Sequence, residues 1–301
     1  MKTLSIGGRF WVVLTILSLA WGTTWAAIRV GLRGIPPLTG VSGRFAIAAA
    51  VLFLVAYYRK IPIGRGGSVE RSLWIVNAVF SFAVPYVLVY WAEQWVPSGL
   101  ASLLFATYPL FVTLLAHFVT PSDRLGAAAV GGTVLGFLGT AVLLSDDFEI
   151  LGGPQAFRAS VLFLLSPLAS AVATVYVRRF GRDVHPLSLT AVPMAITALA
   201  VAPFAWLLEL RGGLRPVTLD ALSVGCLLYL AIVGSALTFT LYFWLLSRVP
   251  AAKAALTAYT IPIVAVTFGA IVLAEVVTPK TLIGAAMILG GVGVVVRRAN
   301  R

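Results

Sequence analysis

The chain has 301 residues, of which 60% are hydrophobic and 11% are charged, whereas soluble domains carry about 25% charged residues. This composition excludes a water-soluble fold, because no soluble core could bury so many apolar side chains, and it predicts a protein surrounded mostly by lipid. The net charge of +12 does not indicate a nucleic-acid-binding protein, because the basic residues lie between apolar runs rather than along one face.

The cysteine and histidine content limits the chemistry that the chain can support. A single cysteine, Cys226, excludes an intramolecular disulfide and a cysteine-ligated metal cluster. His117 and His185 are too far apart in sequence to form a ligand pair at helical spacing. The sequence therefore predicts neither a metal site nor a cofactor.

Apolar runs long enough to cross a bilayer, which takes about 20 residues, occur along the whole chain. Turn-forming and charged residues separate them, for example at Pro36-Pro37, Pro97 and Pro250. The first run continues to Ile28 with no small-x-small cleavage site, so we interpret it as a retained span rather than a signal peptide. We predict ten spanning helices in an all-α integral membrane protein, over residues 10–29, 38–58, 72–92, 98–118, 125–144, 157–177, 186–208, 221–246, 251–273 and 280–296.

The two halves of the chain repeat one another. The segment from Trp91 to Pro109 recurs 153 positions later, where Trp91 falls on Trp244 and Pro109 falls on Pro262. Five spans per half is an odd number, so the second half enters the membrane from the opposite side. We therefore predict one membrane domain made of two inverted five-helix repeats, over residues 1–147 and 148–301.

Lysine and arginine residues are distributed unevenly over the segments between the predicted spans. With the N terminus inside, the inner segments hold fourteen and the outer segments hold six, leaving aside Arg44 and Lys253 within spans. This asymmetry follows the positive-inside rule and predicts that both termini are cytoplasmic.

A set of short motifs follows the same chain order as the predicted spans. The motifs are Trp21-Gly22-Thr23-Thr24-Trp25, Ala27-Ile28-Arg29-Val30-Gly31, Pro36-Pro37, Arg44-Phe45, Ala92-Glu93, Val96-Pro97-Ser98-Gly99, Ala106-Thr107-Tyr108-Pro109-Leu110, Glu275 and Thr278-Pro279. In this order they resemble the EamA-type family of the drug/metabolite transporter superfamily, and the resemblance covers nearly the whole chain. It implies a ten-helix, inverted-repeat carrier of small metabolites, often an exporter of amino acids or related compounds, in a bacterial inner membrane.

Pro109 and Pro262 lie near the middle of the fourth and ninth predicted spans. Proline removes a backbone donor and frees the carbonyl four residues back, so in lipid such a break belongs in the bundle interior or beside a water-filled cavity. We predict that both prolines are hinges and that the two spans line a central cavity; a kink tolerated for packing is the alternative. The residues predicted to face the cavity beside the prolines are Thr107, Tyr108, Tyr259 and Thr260.

Aromatic side chains away from the span ends form a second candidate set. Trp21 and Trp25 lie one turn apart on one face of the first span, with Thr24 nearby. Core packing would explain this pattern equally well. A cavity lined by aromatic rings with few hydroxyl groups would suit an amphipathic or aromatic small molecule. The candidate substrate-binding residues of this set are Trp21, Thr24, Trp25, Tyr86, Tyr90 and Tyr242.

Few charged residues lie within the predicted spans. Arg44 belongs to the second span, and Glu93 lies near the outer end of the third. We predict that an ion pair between them closes an outer gate; alternatively, each side chain reaches the membrane interface by itself. All ten acidic residues lie in loops or at span ends, so transport is either uncoupled exchange or coupled through Glu93 at the rim.

These features favour a secondary transporter that moves a small molecule across the lipid bilayer by alternating access. An integral-membrane enzyme is one alternative, but it would need clustered His, Cys or Asp at span depth; a channel would need a polar filter or charged rings. The motifs Gly132-x-x-x-Gly136 and Ala286-x-x-x-Gly290 permit close helix packing, either within a monomer or at the face of a homodimer.

Overall fold

The protein is helical throughout the part of the chain that the structure describes. The computed structural model describes residues 6–64, 66–119, 127–145, 153–181, 183–212, 217–246 and 257–298. The first five helices are α1 (Ile6–Gly31), α2 (Pro37–Arg59), α3 (Ser68–Asn77, a π-helical segment Ala78–Ala83, and Val84–Ala92), α4 (Ser98–Phe105 and Tyr108–Val119) and α5 (Ala127–Leu144). The next five are α6 (Gly153–Phe163 and Leu165–Phe180), α7 (Ser188–Phe204 and a π-helical segment Ala205–Leu210), α8 (Ala221–Ala231, a π-helical segment Ile232–Leu237, and Thr238–Leu246), α9 (Thr257–Leu273) and α10 (Pro279–Arg298).

Seven of these helices are long and apolar enough to cross a membrane. The other three, α5, α9 and α10, contain shorter apolar stretches within the described residues: Val130–Val142, Thr260–Leu273 and Pro279–Val294. The predicted all-helical, multi-pass membrane fold is therefore confirmed. The number of ten crossings and the cytoplasmic position of both termini stay predictions.

The two predicted hinge prolines lie in different backbone contexts. α4 is interrupted at Ala106 and Thr107, so Pro109 is the second residue of a new helical stretch, where its missing N–H costs no helical hydrogen bond. The break predicted at Pro262 is not seen, because α9 runs without interruption from Thr257 to Leu273. α9 packs along α1, and a neighbouring helix can hold two turns together where one backbone bond is missing.

Two π-helical segments occupy corresponding places in α3 and α8. They begin at Ala78 and at Ile232, 154 positions apart. The segment in α3 precedes Pro85, which has no N–H to continue the helical hydrogen bonds. Such wide turns alter the regular pattern of carbonyl partners, so donors from other helices can bind there.

The side chains that donate to these two segments come from opposite halves of the chain. Arg44 of α2 donates from Nη2 to the carbonyl of Gly234 in α8, at 3.0 Å. Thr197 of α7 donates from its hydroxyl to the carbonyl of Ala78 in α3, at 2.9 Å. α2 and α7 also pack against each other. The hydrogen bonds therefore join the first half of the chain to the second in both directions.

Among the described helices, α5 and α10 form the most extensive pair, along a seam of glycine residues. A Cβ atom on Gly139 would lie 2.8 Å from the carbonyl oxygen of Gly284, and one on Gly291 would lie 2.7 Å from the amide nitrogen of Gly136. Only a residue without a side chain permits this approach. A Cβ atom on Gly290, in contrast, would meet open space. The predicted Gly132-x-x-x-Gly136 motif therefore packs within one chain, against Gly291, whereas Gly290 of the second predicted motif takes no part in this contact.

Candidate functional site

Aromatic side chains from five helices meet in the interior of the bundle. The Trp21 ring makes edge contacts with Phe239 and Tyr242, with ring centroids 5.4 and 5.3 Å apart. The Phe105 ring stacks on Tyr108 and also contacts Trp25, at 5.9 and 5.6 Å. We define the aromatic cluster as Trp21, Trp25, Tyr86, Phe105, Tyr108, Phe163, Phe239 and Tyr242.

Most rings of the aromatic cluster are only partly buried. Trp21, Tyr86, Tyr108 and Tyr242 all keep some accessible surface, although each contacts side chains from other helices. These rings therefore combine contacts between helices with surface that the chain itself does not cover.

Polar groups lie on the same surface. The Tyr108 hydroxyl is 2.6 Å from the hydroxyl of Thr174 and 3.5 Å from that of Tyr242. The indole N–H groups of Trp21 and Trp25 are buried and have no hydrogen-bond partner within the described structure. Because an unpaired buried donor costs free energy, these N–H groups favour an acceptor that enters between the helices.

Two threonines of the predicted site use their hydroxyl groups within their own helices. Thr24 donates to the carbonyl of Trp21, and Thr107 donates to the carbonyl of Leu104, both at 2.7 Å. Thr107 is also fully buried. These two hydroxyl groups support the helix backbone and do not present a free donor to the aromatic cluster.

The predicted residues of α9 contribute differently. The hydroxyl of Thr260 lies 2.5 Å from that of Ser18, so the two side chains join α9 to α1. Tyr259 belongs to α9, but its side chain lies outside the described part of the structure. Of the residues predicted beside the prolines whose side chains the structure describes, Tyr108 is the one that belongs to the aromatic cluster.

Arg44 is almost fully buried, with 1% of its surface exposed. Its Nε donates to the Ser235 hydroxyl at 2.7 Å, in addition to the Nη2 bond to Gly234. Its guanidinium group lies 4.6 Å from the centroid of the Tyr86 ring, within cation–π distance. Arg44 therefore neither reaches the interface nor forms the ion pair predicted with Glu93, because the π-helical segment of α8 binds it instead.

Glu93 follows α3 directly, outside the apolar segment, and is also 1% exposed. Neither of its carboxyl oxygens has a hydrogen-bond partner among the residues that the structure describes. Arg29 of α1 lies nearby, but its Nη1 donates to the backbone carbonyls of Glu93 and Val96, both at 2.7 Å. Burial raises the pKa of the Glu93 carboxyl group well above its usual range; Arg29 opposes this shift and Glu275 reinforces it.

Two further glutamates, which the sequence analysis did not select as site residues, bind the N termini of helices. Glu275, after α9, accepts hydrogen bonds from the amide and hydroxyl of Ser98 and from the amide of Gly99, at 2.7–2.8 Å. Glu209, at the end of α7, accepts equivalent bonds from Thr39 and the preceding residue, at 2.7–2.8 Å. Carboxylates in this position satisfy free amide groups and interact favourably with the helix dipole.

These contacts place three glutamates at one end of the bundle, where α1 and α3 end and α2 and α4 begin. We call it the glutamate end, defined by Glu93, Glu209 and Glu275. A sequence signal for the last two did exist. Neither α2 nor α4 has an acidic residue in its first turn or a side-chain cap of its own, so both helices need acceptors from elsewhere.

Known proteins resemble this chain over nearly its whole length. The EamA-like transporter family matches residues 9–145 and 157–297. The chain is 29% identical over 297 residues to a probable terminal-alkyne amino-acid exporter of Streptantibioticus cattleyicolor, covering 95% of this chain and 92% of that protein. It is 25% identical over 285 residues to a probable amino-acid metabolite efflux pump of Escherichia coli, covering 93% of this chain and 92% of that one.

The similarity extends to a further transporter and to a solved structure. The chain is 26% identical over 283 residues to the uncharacterized transporter YoaV of Bacillus subtilis, covering 93% of this chain and 95% of that protein. A crystal structure of a 22% identical chain superposes with a TM-score of 0.69, covering 97% of this chain and 98% of that one, which shows a shared fold. The resemblance seen in the motifs is thus confirmed, and the chain belongs to the EamA-like transporter family of multi-pass membrane proteins.

Proposed function

We propose that this transporter is a secondary carrier that exports an amino acid or a related amphipathic metabolite by alternating access. The substrate binds at the aromatic cluster, between two inverted five-helix repeats of a ten-span bundle. Both termini lie on the cytoplasmic side of a bacterial inner membrane. The observation that carries the proposal is the aromatic cluster, in which accessible rings from several helices surround buried, unpaired N–H groups.

The composition of the aromatic cluster suits an amphipathic ligand. Its rings offer stacking and edge contacts to an apolar or aromatic side chain. The Tyr108 and Tyr242 hydroxyls and the two indole N–H groups offer a few directed hydrogen bonds. Small-molecule sites commonly combine a mainly apolar lining with a few placed polar groups.

The distribution of the aromatic cluster over the chain supports alternating access. α1, α3 and α4 contribute rings from the first half, and α6 and α8 contribute Phe163, Phe239 and Tyr242 from the second. A site shared by both halves changes shape when the halves rock against each other. Substrate and ion sites of carriers with inverted repeats lie at such an interface.

Three observations support the inverted repeat itself. The sequence recurs at an offset of 153, the π-helical segments of α3 and α8 are 154 positions apart, and the transporter family matches the chain twice, over residues 9–145 and 157–297. The predicted odd number of spans per half would reverse the second half. The excess of basic residues on the predicted inner segments supports cytoplasmic termini. The names of two bacterial relatives, an amino-acid exporter and an amino-acid metabolite efflux pump, favour amino acids as substrates and export as the direction.

Transport can be measured with the purified protein in proteoliposomes loaded with a panel of radiolabelled amino acids. We expect efflux of at least one amphipathic or aromatic amino acid. We also expect counterflow, in which unlabelled substrate added outside the proteoliposomes accelerates the exit of labelled substrate from inside them. Efflux without counterflow would identify a channel and overturn alternating access.

Variants test whether the aromatic cluster is the substrate site. Trp21→Ala and Tyr108→Phe are expected to lower the rate of transport and to weaken the binding of the transported amino acid. Trp11→Ala serves as the matched control, because Trp11 lies on the same helix with 60% of its surface exposed. Wild-type transport by both cluster variants would show that the substrate binds elsewhere.

A further inference from the structure

The turn between α3 and α4 is bound by two side chains from elsewhere in the chain. Arg29, near the end of α1, donates to the carbonyls of Glu93 and Val96, and Glu275, after α9, accepts from Ser98 at the start of α4. We call this arrangement the clasp, formed by Arg29, Glu93, Val96, Ser98 and Glu275. Glu93, Val96 and Ser98 are almost completely buried where Arg29 and Glu275 make these contacts. The clasp is therefore closed in this structure.

The groups around Glu93 leave its carboxyl group without a hydrogen bond. The charged or titratable groups that face it are Arg29 from α1, Arg44 from α2, Tyr90 one turn earlier in α3, and Glu275 after α9. Arg29 is engaged with backbone carbonyls and Arg44 with α8. Glu275 is engaged with α4 and adds a second negative charge. Within the described residues, neither Glu93 oxygen has a hydrogen-bond partner, and the Tyr90 side chain interacts with Arg44 rather than with Glu93.

Closure of the clasp and protonation of Glu93 are consequently linked. A buried carboxylate is stable where donors or water compensate its charge, and the described surroundings of Glu93 provide no hydrogen-bond donor to it. When the clasp opens, the carboxyl group meets water, in which the ionised form is the stable one at neutral pH. The closed clasp therefore holds one proton more than the open clasp.

We propose that Glu93 is a proton-binding site that sets the position of a gate at the glutamate end. The proton comes from the water at that end when the clasp closes, and it returns to the same water when the clasp opens. The site thus adjusts the gate to the local pH and carries no net proton across the membrane. This inference rests on the alternating-access function proposed above, in which the glutamate end opens and closes in each cycle.

The opening of the clasp can be followed by cysteine labelling of the purified full-length protein in lipid nanodiscs. In a Cys226→Ser background, Val96→Cys places a buried thiol in the clasp, and its rate of maleimide labelling reports how often the clasp opens. The rate is divided by that of Leu219→Cys, a position with 72% of its surface exposed, which removes the pH dependence of the thiol reaction. We expect this normalised rate to rise between pH 5 and pH 9, by up to about tenfold per pH unit.

Three glutamine variants separate proton binding from the other interactions of the glutamate end. With Glu93→Gln, we expect a low normalised rate that does not change with pH, because the side chain no longer ionises. Glu209→Gln is the matched control and keeps the pH dependence. Glu209 also lies at the glutamate end, but its carboxylate already accepts hydrogen bonds from the backbone amides of α2. Glu275→Gln raises the rate at every pH, because it weakens the clasp. The pH dependence remains but ends at a lower pH, since Glu275 no longer raises the pKa of Glu93.

Two results would overturn the proposal. The first is a normalised labelling rate that is independent of pH when Glu93 is present. The second is a pH dependence that stays unchanged after Glu93→Gln. An Arg44–Glu93 ion pair that closed the gate would give the first of these results. If the Val96→Cys or Glu93→Gln variant fails to fold, hydrogen exchange of the wild-type backbone amides of residues 93–96 and 98, corrected for intrinsic rates, replaces the labelling. Protection must then fall as the pH rises, and constant protection overturns the proposal.

The outcome does not depend on knowing the substrate. Labelling that responds to pH through Glu93, in a protein that shows no counterflow, would contradict the proposed function and leave the proton site in place. Counterflow together with a labelling rate that is independent of pH would contradict the proton site and leave the proposed function in place. The two proposals therefore fail separately.

Discussion

Replacement of Glu275 by alanine tests how much the capping carboxylate stabilises the bundle. The change removes three hydrogen bonds, from the amide and hydroxyl of Ser98 and from the amide of Gly99. Hydrogen bonds to a charged group contribute about 1.5–3 kcal/mol each. Because Glu275 is itself only partly buried, we take the low end of that range and allow for water that replaces part of the loss. We expect the free energy of unfolding to fall by about 3 kcal/mol.

Equilibrium unfolding by sodium dodecyl sulfate in mixed micelles, followed by tryptophan fluorescence, measures this loss. Heat unfolding is less suitable, because membrane proteins often unfold irreversibly and then report a rate. Glu209→Ala removes three bonds of the same lengths at the start of α2 and should cost a similar amount. Asp183→Ala, at an exposed position in the α6–α7 turn, should change stability by less than about 0.5 kcal/mol. Equal effects of Glu275→Ala and Asp183→Ala would refute the reasoning.

The remaining predictions concern the glycine seam, the pH dependence and the prolines. Gly291→Val should destabilise the bundle by about 1–3 kcal/mol through overpacking, whereas Gly290→Val, at a site with no neighbour within 4 Å, should be nearly neutral in the same unfolding assay. Because the pKa of Glu93 is raised in the folded state, wild-type stability should fall relative to Glu93→Gln as the pH rises through that pKa, and the two should converge at acidic pH; a constant difference would contradict this. Pro109→Ala should slow counterflow more than Pro262→Ala, because only α4 is interrupted beside its proline; equal rates would argue against a hinge at Pro109.

The aromatic cluster was largely within reach of the sequence. Trp21 and Trp25 lie one turn apart, which predicts a common helix face, and the repeat pointed to Tyr108. Phe105, Phe163 and Phe239 were not predicted, since phenylalanine is so frequent in apolar helices that a single residue does not distinguish an interior position from a lipid-facing one. Helix rotation in lipid is set by neighbouring helices, and this information is not local in sequence.

The partners of Arg44 could not be predicted for a different reason. The length and polarity of its side chain allow it to reach the interface, to pair with Glu93 or to bind backbone carbonyls. The choice among these depends on the π-helical segment at Gly234 and Ser235, which is 190 residues away in the sequence. Pro262 shows the same limit: the residue matches Pro109, but the neighbouring helix keeps α9 continuous.

The reciprocal hydrogen bonds of Arg44 and Thr197 bear on how the chain is made. During synthesis α3 enters the membrane before α7, so the carbonyl of Ala78 cannot accept from the hydroxyl of Thr197 until α7 is inserted. Arg44 of α2 likewise cannot bind the carbonyl of Gly234 until α8 is inserted. The side chains of Arg44 and Thr197 therefore obtain these partners only when both halves have been inserted. When residues 1–147 and 148–301 are produced as two separate polypeptides, each alone should be degraded by membrane quality control, and co-expression should rescue both.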